Sequence, residues 1–116
     1  MKPLSQLRCQ ACQGDMHAMA ESQQQSLMEQ LPDWQRQSEQ GGQRLVRVFR
    51  FNTYPEAANF TAQLAELAEQ VQHHPMITLE WGKVTVVWWT HSLGALHLND
   101  FIMAAQTDLL YQGNHI

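Results

Sequence analysis

The chain has 116 residues, of which 44% are hydrophobic and 16% are charged, and its formal net charge is −4. This length fits one domain with a single hydrophobic core. The four arginines from Arg36 to Arg50 are too dispersed to form a basic tract, so nucleic-acid binding has no electrostatic support. No apolar run approaches the roughly 20 residues of a transmembrane helix, and residues 1–9 lack the apolar region of a signal peptide. We therefore expect a cytoplasmic protein with no membrane or nucleic-acid partner.

Residues 1–20 show little periodicity, and we expect a loosely ordered N-terminal arm ahead of a single domain at residues 21–116. Cys9 and Cys12 form a C-x-x-C pair that is followed by His17. A structural zinc site needs four ligands, and a redox C-x-x-C normally opens a helix after a strand. Neither pattern is complete here, so we interpret the pair as incidental. A zinc protein that uses both cysteines and a histidine stays open as an alternative.

The first part of the domain predicts a helix followed by a β-hairpin. The helix covers Glu21–Leu31 and is ended by Pro32. Pro32–Gln37 is expected to form a first strand with Trp34 pointing inward, and a second strand over Arg44–Asn52 alternates apolar and polar residues. Two glycines within Glu39–Gln43 favour a turn between these strands.

The clearest predicted element is a helix over Tyr54–Gln72. Thr53 is suited to the N-cap, and Pro55 fits the first helical turn. Pro75 cannot continue a helix, so the helix should end near His73. Spacings of three and four produce one apolar stripe, which consists of Ala57, Phe60, Leu64, Leu67 and Val71.

The C-terminal part predicts a second hairpin and a last helix. Met76–Trp81 and Val84–His91 are rich in β-branched and aromatic residues, and the intervening Gly82-Lys83 fits a type II′ turn. Asn99 or an earlier residue should cap a last helix that runs through Tyr111, with one side formed by Phe101, Ala105 and Leu109. The order α-β-β-α-β-β-α predicts an α+β fold, in which a four-stranded antiparallel sheet carries three helices packed on one face.

The predicted hairpin register brings histidines together. If Gly82-Lys83 forms the loop, Trp81 pairs with Val84 and His91 lies opposite His74. The face expected to pack against the helices is apolar and consists of Ile77, Leu79, Trp81, Val84, Val86 and Trp88. The other face is mixed and consists of Met76, Thr78, Glu80, Thr85, Val87, Trp89 and His91. A mixed face with a tryptophan suggests a partner surface or a substrate cleft.

The histidines favour acid–base chemistry without a metal. Glu69 lies four residues before His73, so both should project from one side of the helix, where a carboxylate increases the proton affinity of an imidazole. Taken alone, His73 could be a cation at a helix C-terminus, but its grouping with His74 and His91 favours a site. Zinc is a weaker interpretation because adjacent residues rarely bind one ion, and Ser92 lacks the surroundings of a nucleophile. Removal of water from a small molecule needs such a proton acceptor and donor.

The spacing of these residues resembles the signature of the pterin-4a-carbinolamine dehydratase family. The matching positions are Glu69, His73-His74-Pro75, Trp81, His91 and Asp100, and E-W-G-K-V-T-V-V-W-W-T-H-S, L-H-L-N-D-F-I-M-A-A, C-Q-A-C and L-P-D-W also look like bacterial members. The resemblance implies dehydration of 4a-hydroxytetrahydropterin to quinonoid dihydropterin, which recycles the tetrahydropterin cofactor of an aromatic amino acid hydroxylase. It also implies a reaction without metal or organic cofactor, the α+β fold, and a homodimer or homotetramer.

The resemblance also implies roles for individual residues. His73 and His91 would move protons around the 4a-hydroxyl and N5, His74 would bind and orient the pterin, and Glu69 would support the imidazole of His73. Some family members act as dimerisation cofactors of a homeodomain transcription factor, so a non-catalytic binding module of the same fold is the alternative.

Three further positions are interpreted from their place in the predicted fold. We expect Trp81 in the core, because it falls on the apolar face. Asp100 lies in the first turn of the last helix, where a carboxylate stabilises free N–H groups. His97 should be a solvent-facing or capping residue.

Overall fold

The structure is a computed structural model that describes residues 3–7, 19–39, 42–90 and 95–113. It contains α1 (Glu21–Met28), β1 (Gln35–Glu39), β2 (Gly42–Arg50), α2 (Tyr54–Val71), β3 (Met76–Glu80), β4 (Lys83–Trp88) and α3 (Leu98–Gly113). A short 3-10 helix at Leu4–Gln6 precedes α1. The predicted α+β order is therefore confirmed. In the described part of the chain, no helix is both long enough and apolar enough to cross a bilayer.

The four strands form one antiparallel sheet in the order β1-β2-β4-β3. Each predicted hairpin is present, and the two hairpins join side by side through β2 and β4. The central strands contribute side chains with no exposed surface to the core, namely Leu45, Phe49, Val84, Val86 and Trp88. Alternate residues of these strands therefore bury one face of the sheet.

The β3–β4 hairpin has a register that differs by two residues from the predicted one. Val84 pairs with Leu79 instead of Trp81, and the turn consists of Trp81 and Gly82. Gly82 has φ 76° and is the second turn residue, whereas a type II′ turn has its glycine first. Trp81 is 77% exposed, so its expected place in the core was wrong, because a turn residue lies beyond the buried sheet. Since side chains alternate with a period of two, the residues within β3 and β4 keep their predicted faces.

Helix α3 is fixed to the sheet by polar contacts as well as by apolar packing. Asp108 Oδ1 accepts hydrogen bonds from Arg47 Nη1 at 2.6 Å and from Trp34 Nε1 at 2.8 Å. Further along the sheet, Trp88 Nε1 donates to Thr107 Oγ1 at 3.1 Å. The partners of Thr107 and Asp108 come from both halves of the sheet, so these contacts hold the C-terminal half of α3 against it.

The burial of two residues, Leu4 and Leu109, differs from what the sequence led us to expect. Leu4 belongs to the segment expected to form a loose arm, yet it has no exposed surface and its backbone N–H donates to Gln30 Oε1 at 2.9 Å. Leu109 was expected on the same side of the last helix as Phe101 and Ala105, but it is 51% exposed whereas those two residues are buried. Cys9, Cys12 and His17, which would form the alternative zinc site, lie outside the described residues.

Candidate functional site

Helix α2 ends in a left-handed turn that gives two adjacent histidines opposite environments. Gln72 has φ 56° and ψ 38°, and the backbone N–H of His73 donates to Ala68 O at 3.3 Å. This bond across six residues, together with the left-handed residue, is the Schellman arrangement that ends many helices. His73 is 4% exposed, whereas the side chain of His74 is 56% exposed. The turn therefore directs one imidazole into the protein and leaves the next at the surface.

The buried imidazole of His73 is bound to a buried carboxylate. His73 Nε2 lies 2.6 Å from Asp100 Oδ1, and Asp100 has no exposed surface. Asp100 Oδ2 accepts from the Thr90 hydroxyl at 2.8 Å and from the backbone N–H of His97 at 2.9 Å. Three donors around one carboxylate satisfy its charged form. Nε2 of His73 therefore donates, and a neutral ring keeps its lone pair on Nδ1.

The indole ring of Trp88 packs against one face of the His73 imidazole. The rings of Trp88 and His73 are stacked, with centroids 5.4 Å apart and an interplanar angle of 23°. Trp88 is itself held by its hydrogen bond to Thr107, whose hydroxyl donates to Met103 O at 2.6 Å. The indole on one face and Asp100 at one edge together restrict the orientation of His73.

The second histidine pairs with the glutamate that was expected to support the first. His74 Nε2 lies 2.8 Å from Glu69 Oε1, and both side chains are more than half exposed. The hydrogen bond to His74, and then its positive charge, lower the pKa of Glu69 below its ordinary value. The expected pairing of Glu69 with His73 is absent, because the left-handed Gln72 interrupts the helical spacing before His73 is reached.

The structure brings together part of the predicted site. His73 and Asp100 are in contact, and Pro75 leads from the histidines into β3. Trp81 lies at the far end of β3 from them. His91 lies outside the described residues, so its predicted position opposite His74 is not tested. Within the described residues, no group of three or more His, Cys, Asp and Glu side chains could hold a metal ion.

Two contacts of the site were not predicted. Thr90 binds the Asp100 carboxylate, and Trp88 stacks on His73. Because side chains alternate along a strand, Thr90 lies on the same face as Trp88, and that face was predicted to pack against the helices. That signal could have placed both side chains near the helix ends, although it does not identify which partner each one takes.

Comparison with known proteins agrees with the resemblance in the sequence. The family model described as Pterin 4 alpha carbinolamine dehydratase matches residues 17–110. A protein of Marinobacter nauticus is 49% identical over 111 residues, which are 96% of this chain and 100% of that protein. A protein of Chlorobium luteolum is 46% identical over 112 residues, which are 97% of this chain and 98% of that protein. Both are provisionally named pterin-4-alpha-carbinolamine dehydratase.

Two solved structures share the fold. One, described as a transcriptional coactivator/pterin dehydratase from Brucella melitensis, is 28% identical with a TM-score of 0.74, and the match covers 81% of this chain and 98% of that one. The other, described as a pterin dehydratase-like protein that is a RuBisCO assembly factor in the alpha-carboxysome, is 26% identical with a TM-score of 0.57, and the match covers 68% and 89%. Since the family model spans most of the sequence and close relatives match nearly all of it, the chain belongs to the pterin 4 alpha carbinolamine dehydratase family.

Proposed function

We propose that the protein dehydrates 4a-hydroxytetrahydropterin to quinonoid dihydropterin. In this reaction the bond between C4a and the hydroxyl oxygen breaks, N5 loses its proton, and a C4a=N5 double bond forms. The hydroxyl group gains a proton and leaves as water. One proton is taken up and one is delivered, so the reaction requires an acid and a base but neither a metal nor an organic cofactor.

The observation that supports this proposal is the buried hydrogen bond between His73 and Asp100, in a chain of this family. A carboxylate at Nε2 orients the imidazole and stabilises the imidazolium that forms when Nδ1 takes a proton. We assign His73 to proton transfer at N5 or at the 4a-hydroxyl. His91 is the proposed second proton-transfer group, and His74, held by Glu69, is the proposed pterin-binding group.

The proposal also includes the source of the substrate and the oligomeric state of the protein. The 4a-hydroxytetrahydropterin is left when an aromatic amino acid hydroxylase has used its tetrahydropterin, so the protein would recycle that cofactor. We further propose a cytoplasmic homodimer or homotetramer, as the resemblance to the family implies.

A binding module without catalysis is the second candidate function. The descriptions of the two solved neighbours name a coactivator and an assembly factor, so this fold also occurs in proteins with roles other than catalysis. The His73–Asp100 pair favours the enzyme, because a carboxylate that orients an imidazole suits proton transfer, whereas a docking surface does not need one.

The test is a stopped-flow dehydration assay on the wild type and on His73→Ala and His91→Ala. We expect each substitution to lower kcat by about 100-fold or more, as loss of a general acid or base does. Gln70→Ala is the matched control, because Gln70 is exposed on the last turn of α2. The kcat of this variant should equal that of the wild type.

Two results would reject the dehydratase. One is a wild type that does not accelerate loss of the carbinolamine; the other is a folded His73→Ala variant with the wild-type rate. A regulator captured equally well by the wild type and by the two histidine variants would then support the binding module.

A further inference from the structure

The first turn of α3 is closed by reciprocal hydrogen bonds between His97 and the residues that follow it. His97 Nδ1 accepts from the backbone N–H of Asn99 at 3.0 Å. In return, Asp100 Oδ2 accepts from the backbone N–H of His97 at 2.9 Å. Since α3 begins at Leu98, His97 is the N-cap and Asp100 is the third helical residue. The pattern is that of a capping box, with an imidazole in the place usually taken by a hydroxyl.

The carboxylate of this capping box is also the one that binds His73. The capping bond holds Asp100 Oδ2, while Oδ1 lies 2.6 Å from His73 Nε2. Both oxygens belong to one planar group, so a rotation that moves Oδ2 away from the cap also moves Oδ1 away from the imidazole. The backbone of His97 is thus coupled to the orientation of His73 through a single side chain.

The hydrogen bond from Asn99 also determines which nitrogen of a neutral His97 ring carries the proton. The backbone N–H of Asn99 is a donor, so Nδ1 of His97 must carry a lone pair. A neutral His97 ring then carries its proton on Nε2. Loss of the Nδ1 acceptor would leave the Asn99 N–H without this bond and would loosen the turn in which the His97 backbone holds Asp100.

We propose that His97 is a positioning residue for the reaction at His73. Its imidazole caps α3 and thereby keeps the Asp100 carboxylate in the orientation that His73 requires. Thr90 also binds Asp100 Oδ2, so the carboxylate keeps one support when the cap is lost, and the effect should be partial. The kinetic part of this role rests on the proposed function, whereas the effect on the His73 ring does not.

Two substitutions of His97 separate the effect of its Nδ1 acceptor from the effect of losing the imidazole ring. His97→Asn keeps an acceptor at the δ position, where Nδ1 lies, while His97→Gln moves the amide to the ε position. We expect His97→Gln and His97→Ala to lower kcat by about fivefold, the rate equivalent of one lost cap, with KM unchanged. His97→Asn should stay within about twofold of the wild type. The imidazole ¹⁵N signals of His73 should shift in His97→Gln and should stay near their wild-type positions in His97→Asn.

Thr53→Ala is the control for a loss of helix stability alone. Thr53 caps α2 by accepting from the backbone N–H of Glu56 at 3.2 Å, at the opposite end of that helix from His73. Thr53→Ala and His97→Ala should each lower Tm by about 4 °C. The His73 signals and kcat should change in the second variant and should stay constant in the first.

The outcomes distinguish this role from the proposed function. Equal kcat and equal His73 spectra in the Gln and Asn variants would overturn the positioning role, even with a fully active wild type. A wild type that does not dehydrate the pterin would reject the proposed function, and the His73 spectra of the variants would still decide whether His97 orients the pair.

Discussion

The imidazole of His73 and the carboxylate of Asp100 form a buried hydrogen bond of 2.6 Å although they are 27 residues apart in the sequence. The bond joins the C-terminal end of α2 to the N-terminal turn of α3. Free N–H groups at a helix N-terminus favour a negative charge, which suits the position of Asp100. The Asp100 carboxylate therefore orients the His73 imidazole. The effects of this pair on stability and on the His73 ring can be tested separately from the assay of the proposed reaction.

Asp100→Asn should disrupt the pair while keeping its volume. An amide offers one oxygen and one NH₂ group, so it cannot accept from His73 on one side and from Thr90 and His97 on the other. We expect a loss of about 2 kcal/mol in the free energy of unfolding, because at least one buried donor is left without an acceptor. If the NH₂ faces His73, the ring must accept at Nε2 and carry its proton on Nδ1. The kcat should then fall by about 100-fold, and ¹⁵N NMR of His73 should show the exchanged tautomer.

Thr90→Val is the control for Asp100→Asn, since it removes one of the three donors and leaves the charge in place. We expect a loss of about 1 kcal/mol in stability and no change of the His73 tautomer. An unchanged tautomer and rate in Asp100→Asn, or equal effects of the two substitutions, would contradict the assigned role of the carboxylate.

Thr107→Val should destabilise the protein through Trp88. The indole N–H of Trp88 is buried and donates to Thr107 Oγ1, so valine leaves this donor without an acceptor. The expected loss is about 1 to 2 kcal/mol in the free energy of unfolding, measured by urea denaturation. Thr107→Ser keeps the hydroxyl and should lose less. A Thr107→Val variant that loses less stability than Thr107→Ser would show that the methyl group of Thr107, and not its hydroxyl, stabilises this region.

Local patterns in the sequence were sufficient to predict most of the fold. Thr53, Pro55 and the apolar stripe predicted α2 to within one residue at each end, because capping and helical periodicity are both local. The register of the second hairpin was missed because Gly82 can occupy either turn position. The faces of β3 and β4 were nevertheless predicted, since an error of two residues preserves alternation.

The partners within the site depend on tertiary contacts that no local pattern contains. Sequence spacing favoured Glu69 as the partner of His73, whereas Asp100 was expected to stabilise the free N–H groups of the last helix. The left-handed conformation of Gln72 reversed that choice, and a glutamine gives little warning of it, since glycine or asparagine is more usual there.

The exposed Glu69–His74 pair predicts a pKa difference that NMR can measure. His74 lowers the pKa of Glu69 from its ordinary value of 4.5, first through the hydrogen bond and then through its charge. Because the pKa is lower in the folded state, the pair stabilises the fold above the unfolded value and loses that contribution as pH falls through the folded one. In His74→Ala, the ¹³C titration of the Glu69 carboxyl should move upward towards 4.5. Gln70→Ala should leave it unchanged, and an unchanged titration in His74→Ala would exclude the pairing.

Gln72→Gly should stabilise the protein without moving the site. Gln72 has φ 56°, where a side chain with a Cβ is strained and glycine is not, so we expect a gain of about 1 kcal/mol. The substitution also removes the hydrogen bond from Gln72 Nε2 to Glu69 O, but this side chain is exposed and water can replace it. Gln72→Ala is the control, because it keeps the strain, loses the same hydrogen bond and should show no gain. Urea denaturation of both variants measures the difference, and a glycine variant less stable than the wild type would show that the left-handed turn is not strained by its glutamine.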